Sequence, residues 1–590
     1  MSQPAFAQSA ATHPAVAEAL RDCRRAFWSV ALFSGAVNVL MLAGPLYMLQ
    51  IYDRVLTSRS VPTLIALTVF LVGAYAFQGA FDMLRARIVV RAASLLDQRL
   101  GSTVHAAVVR LGVLVRTPGE AHQPVRDLDQ IRGFLTGAGP LAIVDLPWMP
   151  VFLFICFVIH PWLGVVSVAG ALILIAITVL TYRASRDPVR EFTRDNGIRL
   201  AMIEADRRNS ESVTAMGMAG TLAARWTNFN ARYLASISRS ADVVGAYGST
   251  TKIVRLLLQS AILGVGAYLV LRVELTAGAM IAASIMMGRA LAPIETAIAN
   301  WRSFIAARQS VRRLSDQLAR LQTRDAPTAL PKPSRALAVE KIAVVAPGTQ
   351  TPIVRDVEFQ LGAGEVLGII GPSGAGKTSL LRALVGIWRP ARGAVRLDGA
   401  AIEQWDTDAL GRHIGYVSQS LELFDGTIAE NIARMATDLD SDAIIRAART
   451  AGAHEMILRL PNGYDTLIGD AGAALSAGQR QRIALARALY GDPFLIALDE
   501  PHANLDHEGE IALTQAIQAA KARRAIVVMI AHRPSALAVC DKVLFLANGV
   551  QQAFGPRDEV VNKVVARPAP QPPAAASLKV VSDTSGKAER

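Results

Sequence analysis

At 590 residues, 52 % apolar and 18 % charged with mean hydropathy +0.33, the chain is longer than one ordinary domain. It is also too apolar for a uniformly soluble fold, in which charged residues run to about 25 %. A net charge of +13 would suit a nucleic-acid binder, but most basic residues lie between hydrophobic runs, the placement expected of cytoplasmic loops. Cys23, Cys156 and Cys540 are far apart and form no CxxC pair, which argues against zinc and disulfide frameworks.

Residues 1–26 contain Ala5-Phe6-Ala7, a triplet like a signal-peptidase site. No basic or apolar region precedes it, so a cleaved signal is not expected and the segment reads as cytoplasmic. A transmembrane domain follows over 27–320. Runs long enough to cross a bilayer, about 20 residues, fall at 27–49, 61–80, 141–159, 163–182, 253–271 and 277–298. Six crossings return the chain to its starting side.

The segments after the second and fourth runs are long, helical in pattern and rich in arginine: Arg85, Arg87, Arg91 and Arg99, then Arg183, Arg186, Arg190 and Arg194. The other connections are short. The N-terminus, both long segments and everything after Trp301 are therefore expected in the cytoplasm, with the long segments extending the spanning helices. Asp145, before Leu146-Pro147, is expected to be a helix N-cap. Arg289 and Glu295 in the last run need a reason to be there, because a charge at a helix centre costs about 2.5–3.5 kcal/mol. Facing a polar path and pairing between helices both supply one.

Residues 321–335 are partly proline-rich and read as a linker, residues 336–563 as a soluble α/β domain, and residues 564–590, rich in proline, alanine and charge, as a disordered tail. Within the α/β domain, the apolar strand pattern at 365–370 runs into Gly371-Pro372-Ser373-Gly374-Ala375-Gly376-Lys377-Thr378, with a helical pattern at 380–385. This is GxxxxGK[ST] in its required strand–helix context. Its glycines let backbone amides curl around phosphate oxygens, and the helix N-terminus adds a favourable dipole. Lys377 is expected to reach the β- and γ-phosphates of ATP, and Thr378 to help hold Mg²⁺. The apolar strand 493–498 ends in Asp499, suited to Mg²⁺, and Glu500, placed to polarise an attacking water. The predicted fold class is thus an α-helical membrane domain of six transmembrane helices fused to an α/β P-loop NTPase domain.

Leu475-Ser476-Ala477-Gly478-Gln479 opens a further helical pattern and resembles the signature of ABC-transporter ATPases, with Ala477 where the family usually has glycine. The flanking order is similar too. Gln419 looks like the Q-loop glutamine, Ala503-Asn504-Leu505-Asp506 like the D-loop and His532 like the switch histidine. The resemblance implies Gln419 and His532 beside Glu500 in catalysis, and Gln419 beside Thr378 and Asp499 at the metal. It also implies a homodimer in which Ser476 and the Gly478 backbone bind the γ-phosphate held by the other copy. The aromatic residue that usually stacks on adenine is missing near Val344-Val345-Ala346-Pro347. The extra methyl of Ala477 is expected to be tolerated.

The segment from Leu46 to Leu56, together with Asp145-Leu146-Pro147-Trp148 and His160-Pro161-Trp162-Leu163, looks like the type I secretion exporters of Gram-negative bacteria. Among these it is similar to the metalloprotease-exporter (PrtD-like) branch. Too few residues precede Phe27 for the peptidase-like domain that haemolysin-type relatives often carry. The resemblance implies a multi-pass inner-membrane protein surrounded by membrane lipids, with its ATPase domain in the cytoplasm. Its cargo would be an unfolded secreted protein with a C-terminal signal, handed to a periplasmic adaptor and a TolC-like outer-membrane channel. An exporter of lipid or small molecules uses the same engine and is the alternative. A soluble ATPase acting on nucleic acid is disfavoured by the six apolar runs.

Overall fold

The computed structural model describes residues 13–114, 122–321, 330–421, 423–469, 472, 474–531 and 533–565. Two compact units divide the chain, Met1–Thr323 and Arg324–Arg590. The tail expected over 564–590 lies outside the described residues from 566 onward.

Among the described residues of the first unit six helices are long and apolar enough to cross a membrane: Pro14–Ser58, Val61–Leu114, Gly139–Ile159, Pro161–Arg208, Ala219–Leu271 and Ala277–Ala299. The second, fourth and fifth contain 54, 48 and 53 residues. At 1.5 Å per residue each is about 70–80 Å long, against a hydrocarbon core of about 30 Å. More than half of each therefore lies outside the bilayer, as the arginine-rich segments require. Beyond its apolar run the second helix buries Val89, Ala92, Ala93, Leu96, Leu100, Val104, Ala107 and Leu111, a three- and four-residue spacing that forms one stripe. Val16, Ala19 and Cys23 of the first helix pack on that stripe, joined by Leu128, Ile131 and Leu135 of helix Gln123–Thr136 and by Leu314 and Leu318 of helix Trp301–Leu321. A separate core of Phe152, Cys156, Leu163, Leu174, Ile262, Met287 and Leu291 holds the third to sixth helices together.

Polar side chains fix how these helices start and join. Near its end the first helix makes a π-helical turn, Ile51–Val55, and Asp53 within it accepts hydrogen bonds from Thr276 Oγ1 at 2.6 Å and Gly278 N at 2.9 Å. Its carboxylate thus sits on the N-terminus of the sixth helix, where negative charge is favoured. A Cβ at Gly278 would lie 2.6 Å from Asp53 Oδ1, so only glycine admits this contact. His160 caps the fourth helix, its Nδ1 accepting from Trp162 N at 3.3 Å, with Pro161 just inside the start.

Asp145 departs from its expected role. It makes no side-chain cap for the 3-10 turn Leu146–Trp148, because it already closes the helix Gly139–Asp145. Its carboxylate instead accepts from Asn38 Nδ2 at 2.9 Å and from Arg85 Nη1 at 3.1 Å. Arg85 also donates to Ser34 Oγ at 2.9 Å and pairs with Asp82 at 2.7 Å. Three helices are tied by one buried charge cluster. Glu295 lies 2.9 Å from Arg255 of the fifth helix, paired by charge without hydrogen-bond alignment, which favours the helix-pairing reading for this residue. Arg289 is half-buried, with no ion pair among the described residues.

The second unit is built on a ten-stranded sheet: β1 Ala336–Val345, β2 Pro352–Gly362, β3 Val366–Ile370, β4 Arg392–Leu397, β5 Ala400–Ala401, β6 Ile414–Val417, β7 Leu495–Asp499, β8 Ile526–Ile530, β9 Lys542–Ala547 and β10 Val550–Pro556, in the order β5-β4-β1-β2-β10-β9-β3-β8-β7-β6. Strands β3, β8, β7 and β6 run parallel, and β3, β7 and β8 read as continuous apolar runs because both faces are covered. Alternate residues serve opposite cores. Val366, Ile496, Leu498, Val527 and Met529 join one, while Leu367, Ile369, Leu495, Ala497, Ile526, Val528 and Ile530 join the other.

Arg85→Ala should destabilise the membrane unit by about 3 kcal/mol, since it strands the Asp145 carboxylate. Melting of the detergent-solubilised protein checks this. Adding Asp145→Ala should recover part of the loss, the sign of a coupled pair.

Candidate active site

The phosphate loop joins β3 to the helix Lys377–Leu384. Gly371 leaves β3 where a Cβ would come within 2.0 Å of Leu546 O, and Gly376 caps the helix at φ +96. A side chain at either position would break the turn that lines up the amides. Lys377, only 6 % exposed, folds back so that its Nζ donates to Gly371 O at 2.8 Å and Pro372 O at 3.0 Å. Its ammonium therefore lies across the mouth of the amide cradle, where phosphate oxygens would take over from those carbonyls. Burial pushes its pKa down, while Glu500 and Asp499 pull it back up.

Parallel pairing brings the second half of the site alongside. β7 ends at Asp499, 1 % exposed, and Thr378 Oγ1 donates to Asp499 Oδ1 at 3.4 Å. The other carboxylate oxygen, Oδ2, is buried with no hydrogen-bond partner among the described residues. Burial raises the pKa of this carboxyl above the usual range, partly offset by the Thr378 contact. A buried anionic oxygen with no donor is costly, and a hard divalent cation with oxygen ligands is what would relieve it. The donor set of Thr378 and Asp499 fits Mg²⁺ on that observation.

Glu500 follows at φ +50, a left-handed turn for a non-glycine residue. Such backbone strain concentrates at functional sites. Gln419, two residues past β6, donates from Nε2 to Glu500 Oε1 at 3.4 Å. Strand order β6-β7-β8-β3 thus gathers Gln419, Asp499, Glu500, Lys377 and Thr378 at one end of the sheet. His532, expected beside them, lies outside the described residues.

Ser476 and Gly478 are built differently. Ser476 caps the 13-residue helix Ala477–Leu489 with a reciprocal capping box: its Oγ accepts from Gln479 N at 3.3 Å, and Gln479 Oε1 accepts from Ser476 N at 2.9 Å. Ala477 opens this helix without disturbing the box. No hydrogen bond joins Ser476 or Gly478 to the phosphate loop among the described residues, and Ser476 is exposed. A Cβ at Gly478 would sit 3.1 Å from Asn504 O, so the helix start abuts the 503–506 segment.

Gln481 and Arg482, which the sequence reading left unassigned, brace that arrangement. Gln481 is buried and donates from Nε2 to Pro501 O at 2.9 Å. Arg482 donates to Asp506 Oδ1 at 2.6 Å, and Asp506 in turn accepts from Gly509 N at 2.9 Å, capping the helix His507–Ala522. The cue was available: an amide on the apolar side of an amphipathic helix needs a partner.

A phosphate-loop ATPase domain carried by a chain with six bilayer-length helices defines a membrane-embedded ATPase. Residues 354–503 match the family model for the ABC transporter, and residues 27–291 that for the ABC transporter transmembrane region. The type I secretion system ATP-binding protein PrsD of Rhizobium meliloti (strain 1021) is 50 % identical over 93 % of this chain and 94 % of its own length. The leukotoxin translocation ATP-binding protein LktB of Mannheimia glucosida is 30 % identical over 89 % of this chain and 75 % of its own. The solved structure of a bacterial Atm1-family ABC exporter with ATP bound superposes with a TM-score of 0.79 at 23 % identity, covering 92 % of this chain and 96 % of that one, a likeness of fold. The chain belongs to the ABC transporter family, in its type I secretion branch.

Asp499→Asn should raise the melting temperature of the nucleotide-free protein by about 2–4 °C for each kcal/mol of burial cost removed, while abolishing magnesium-dependent ATP turnover. Calorimetry with and without MgATP checks both.

Proposed function

We propose that this chain is the ATP-hydrolysing inner-membrane exporter of a type I secretion system, carrying unfolded proteins with C-terminal signals out of the cell. The observation that carries this reading is 50 % identity to a type I secretion ATP-binding protein over 93 % of the chain, spanning the membrane unit as well as the ATPase. A periplasmic adaptor and a TolC-like outer-membrane channel would complete the route.

The chemistry follows from the residues. The amides of 371–378 and the Lys377 ammonium bind the phosphates of ATP. Thr378, Asp499 and Gln419 would hold Mg²⁺, which when bound neutralises charge on the β- and γ-phosphates. Glu500 orients and polarises the attacking water, with its carboxylate held toward Gln419. His532 would contact the γ-phosphate. Ser476 and the Gly478 amide would close the site from a second copy of the chain, the signature helix offering its N-terminus to the γ-phosphate. The exposed, pre-capped start of that helix supports a site completed in trans. ATP then favours the closed pair and hydrolysis the open one, a rigid-body alternation.

Glu500→Gln should bind MgATP and retain it, lower turnover by about 10²–10⁴-fold and stop secretion. Undiminished hydrolysis would remove Glu500 from its role. Comparing proteins in the culture medium with and without the gene separates protein export from lipid or small-molecule export: loss of one or a few secreted proteins is expected. An unchanged secretome with an altered envelope lipid profile would favour the alternative.

A further inference from the structure

One cavity of the membrane unit shares no residue with the site assigned to ATP hydrolysis. It measures about 830 Å³ and lies between the extension of the fourth helix and the helix Trp301–Leu321. Arg186, Arg190 and Arg194 recur every four residues on one wall, and Arg308 and Arg312 on the other. Among the described residues these five make no hydrogen bond or ion pair, and no aspartate or glutamate lines the cavity. Two further arginines at its edge are already engaged, Arg302 with Ser240 O at 2.7 Å and Arg313 with Asp127. All five are exposed, so water and salt screen their mutual repulsion, but the facing rows still make a positive field that favours an anion between them.

A second observation indicates the depth of the site. Tyr182 ends the apolar run of the fourth helix, Trp301 follows that of the sixth, and their rings meet edge to face at 5.5 Å against the cavity. Aromatic rings at the ends of membrane runs mark the bilayer–water boundary. The Trp301 indole N–H is buried and has no acceptor among the described residues. From this boundary the arginines continue away from the bilayer, starting one helical turn past Tyr182, the level of lipid phosphates, and Val189 and Ile305 supply apolar wall between them.

We propose that this cavity binds the phosphate headgroup of an anionic phospholipid from the cytoplasmic leaflet. The guanidinium groups match phosphate oxygens in charge and geometry, and the Trp301 N–H would supply a further donor. A freely soluble phosphate satisfies the same donors but has no use for the aromatic roof.

The test uses the full-length chain in nanodiscs of phosphatidylcholine with graded phosphatidylglycerol, and native mass spectrometry of lipid retained after release. Wild type should retain phosphatidylglycerol selectively. The variant Arg186→Gln/Arg190→Gln/Arg312→Gln should lose retention by about fivefold for each arginine removed, with ATP binding unchanged. Arg190→Lys, which keeps the charge, should keep most of it. Should the triple variant not fold, the single Arg312→Gln and the uncharged change Trp301→Phe carry the same comparison, each weakening retention. Equal retention by wild type and variants overturns the proposal. So does displacement of the retained lipid by millimolar inorganic phosphate, or protection of these arginines by an acidic peptide in lipid-free detergent.

Discussion

Asp499 is the point on which the second unit turns. A carboxylate at the end of a fully buried strand, with a threonine hydroxyl on one oxygen and no partner among the described residues on the other, is costly on its own. It is tolerable because β3 and β7, separated only by β8, bring the phosphate loop and its lysine to the same sheet end. The same liability makes binding of a metal–nucleotide complex favourable. Buried charge without a partner is costly, and a divalent cation held there would relieve that cost. The left-handed backbone at Glu500 is a second strained element one residue away, so cost and function sit together.

The membrane unit handles charge in the opposite way, by pairing. Arg85, Asp145, Asp82, Asn38 and Ser34 bond one another across three helices, leaving Arg85 Nε without a partner among the described residues, and Arg255 pairs by charge with Glu295. Such clusters are geometrically exacting and resist sliding of one helix past the next. The second helix carries a continuous apolar seam beyond its membrane run, packed by the first helix and by the helices Gln123–Thr136 and Trp301–Leu321, which stiffens it there. Stiffness and fixed register are what a mechanical element needs. The basic cavity is the exception, with five of its seven arginines unpaired among the described residues.

Much of this was legible in the sequence because the cues are local. Runs of about 20 apolar residues mark bilayer crossings, and six such helices are present. Continuous apolar strands ending in Gly371 or Asp499 mark a covered parallel sheet with a phosphate loop at its end. Asp145 shows where local reading ends. Asp-Leu-Pro is a sound N-cap signal, but the helix had already begun at Gly139 and partners 60 and 107 residues away claimed the carboxylate. Gln481 likewise looked like one more polar residue of a helix, because its acceptor, Pro501 O, is supplied by a loop 20 residues on. Long-range satisfaction of polar groups is not written in spacing.

Completion of the nucleotide site by a second copy is the central claim, and mixing two crippled chains tests it most directly. Lys377→Ala disables the phosphate loop and Ser476→Arg the signature helix, and each homodimer should be inactive. In a mixed dimer purified by two different tags, both defects fall in one shared site and the other site is wild type on both sides. Recovery of about half the wild-type ATPase rate per dimer is the predicted result, the value for one working site of two independent ones. A mixed dimer as inactive as its parents would show that each chain completes its own site, and would contradict the account.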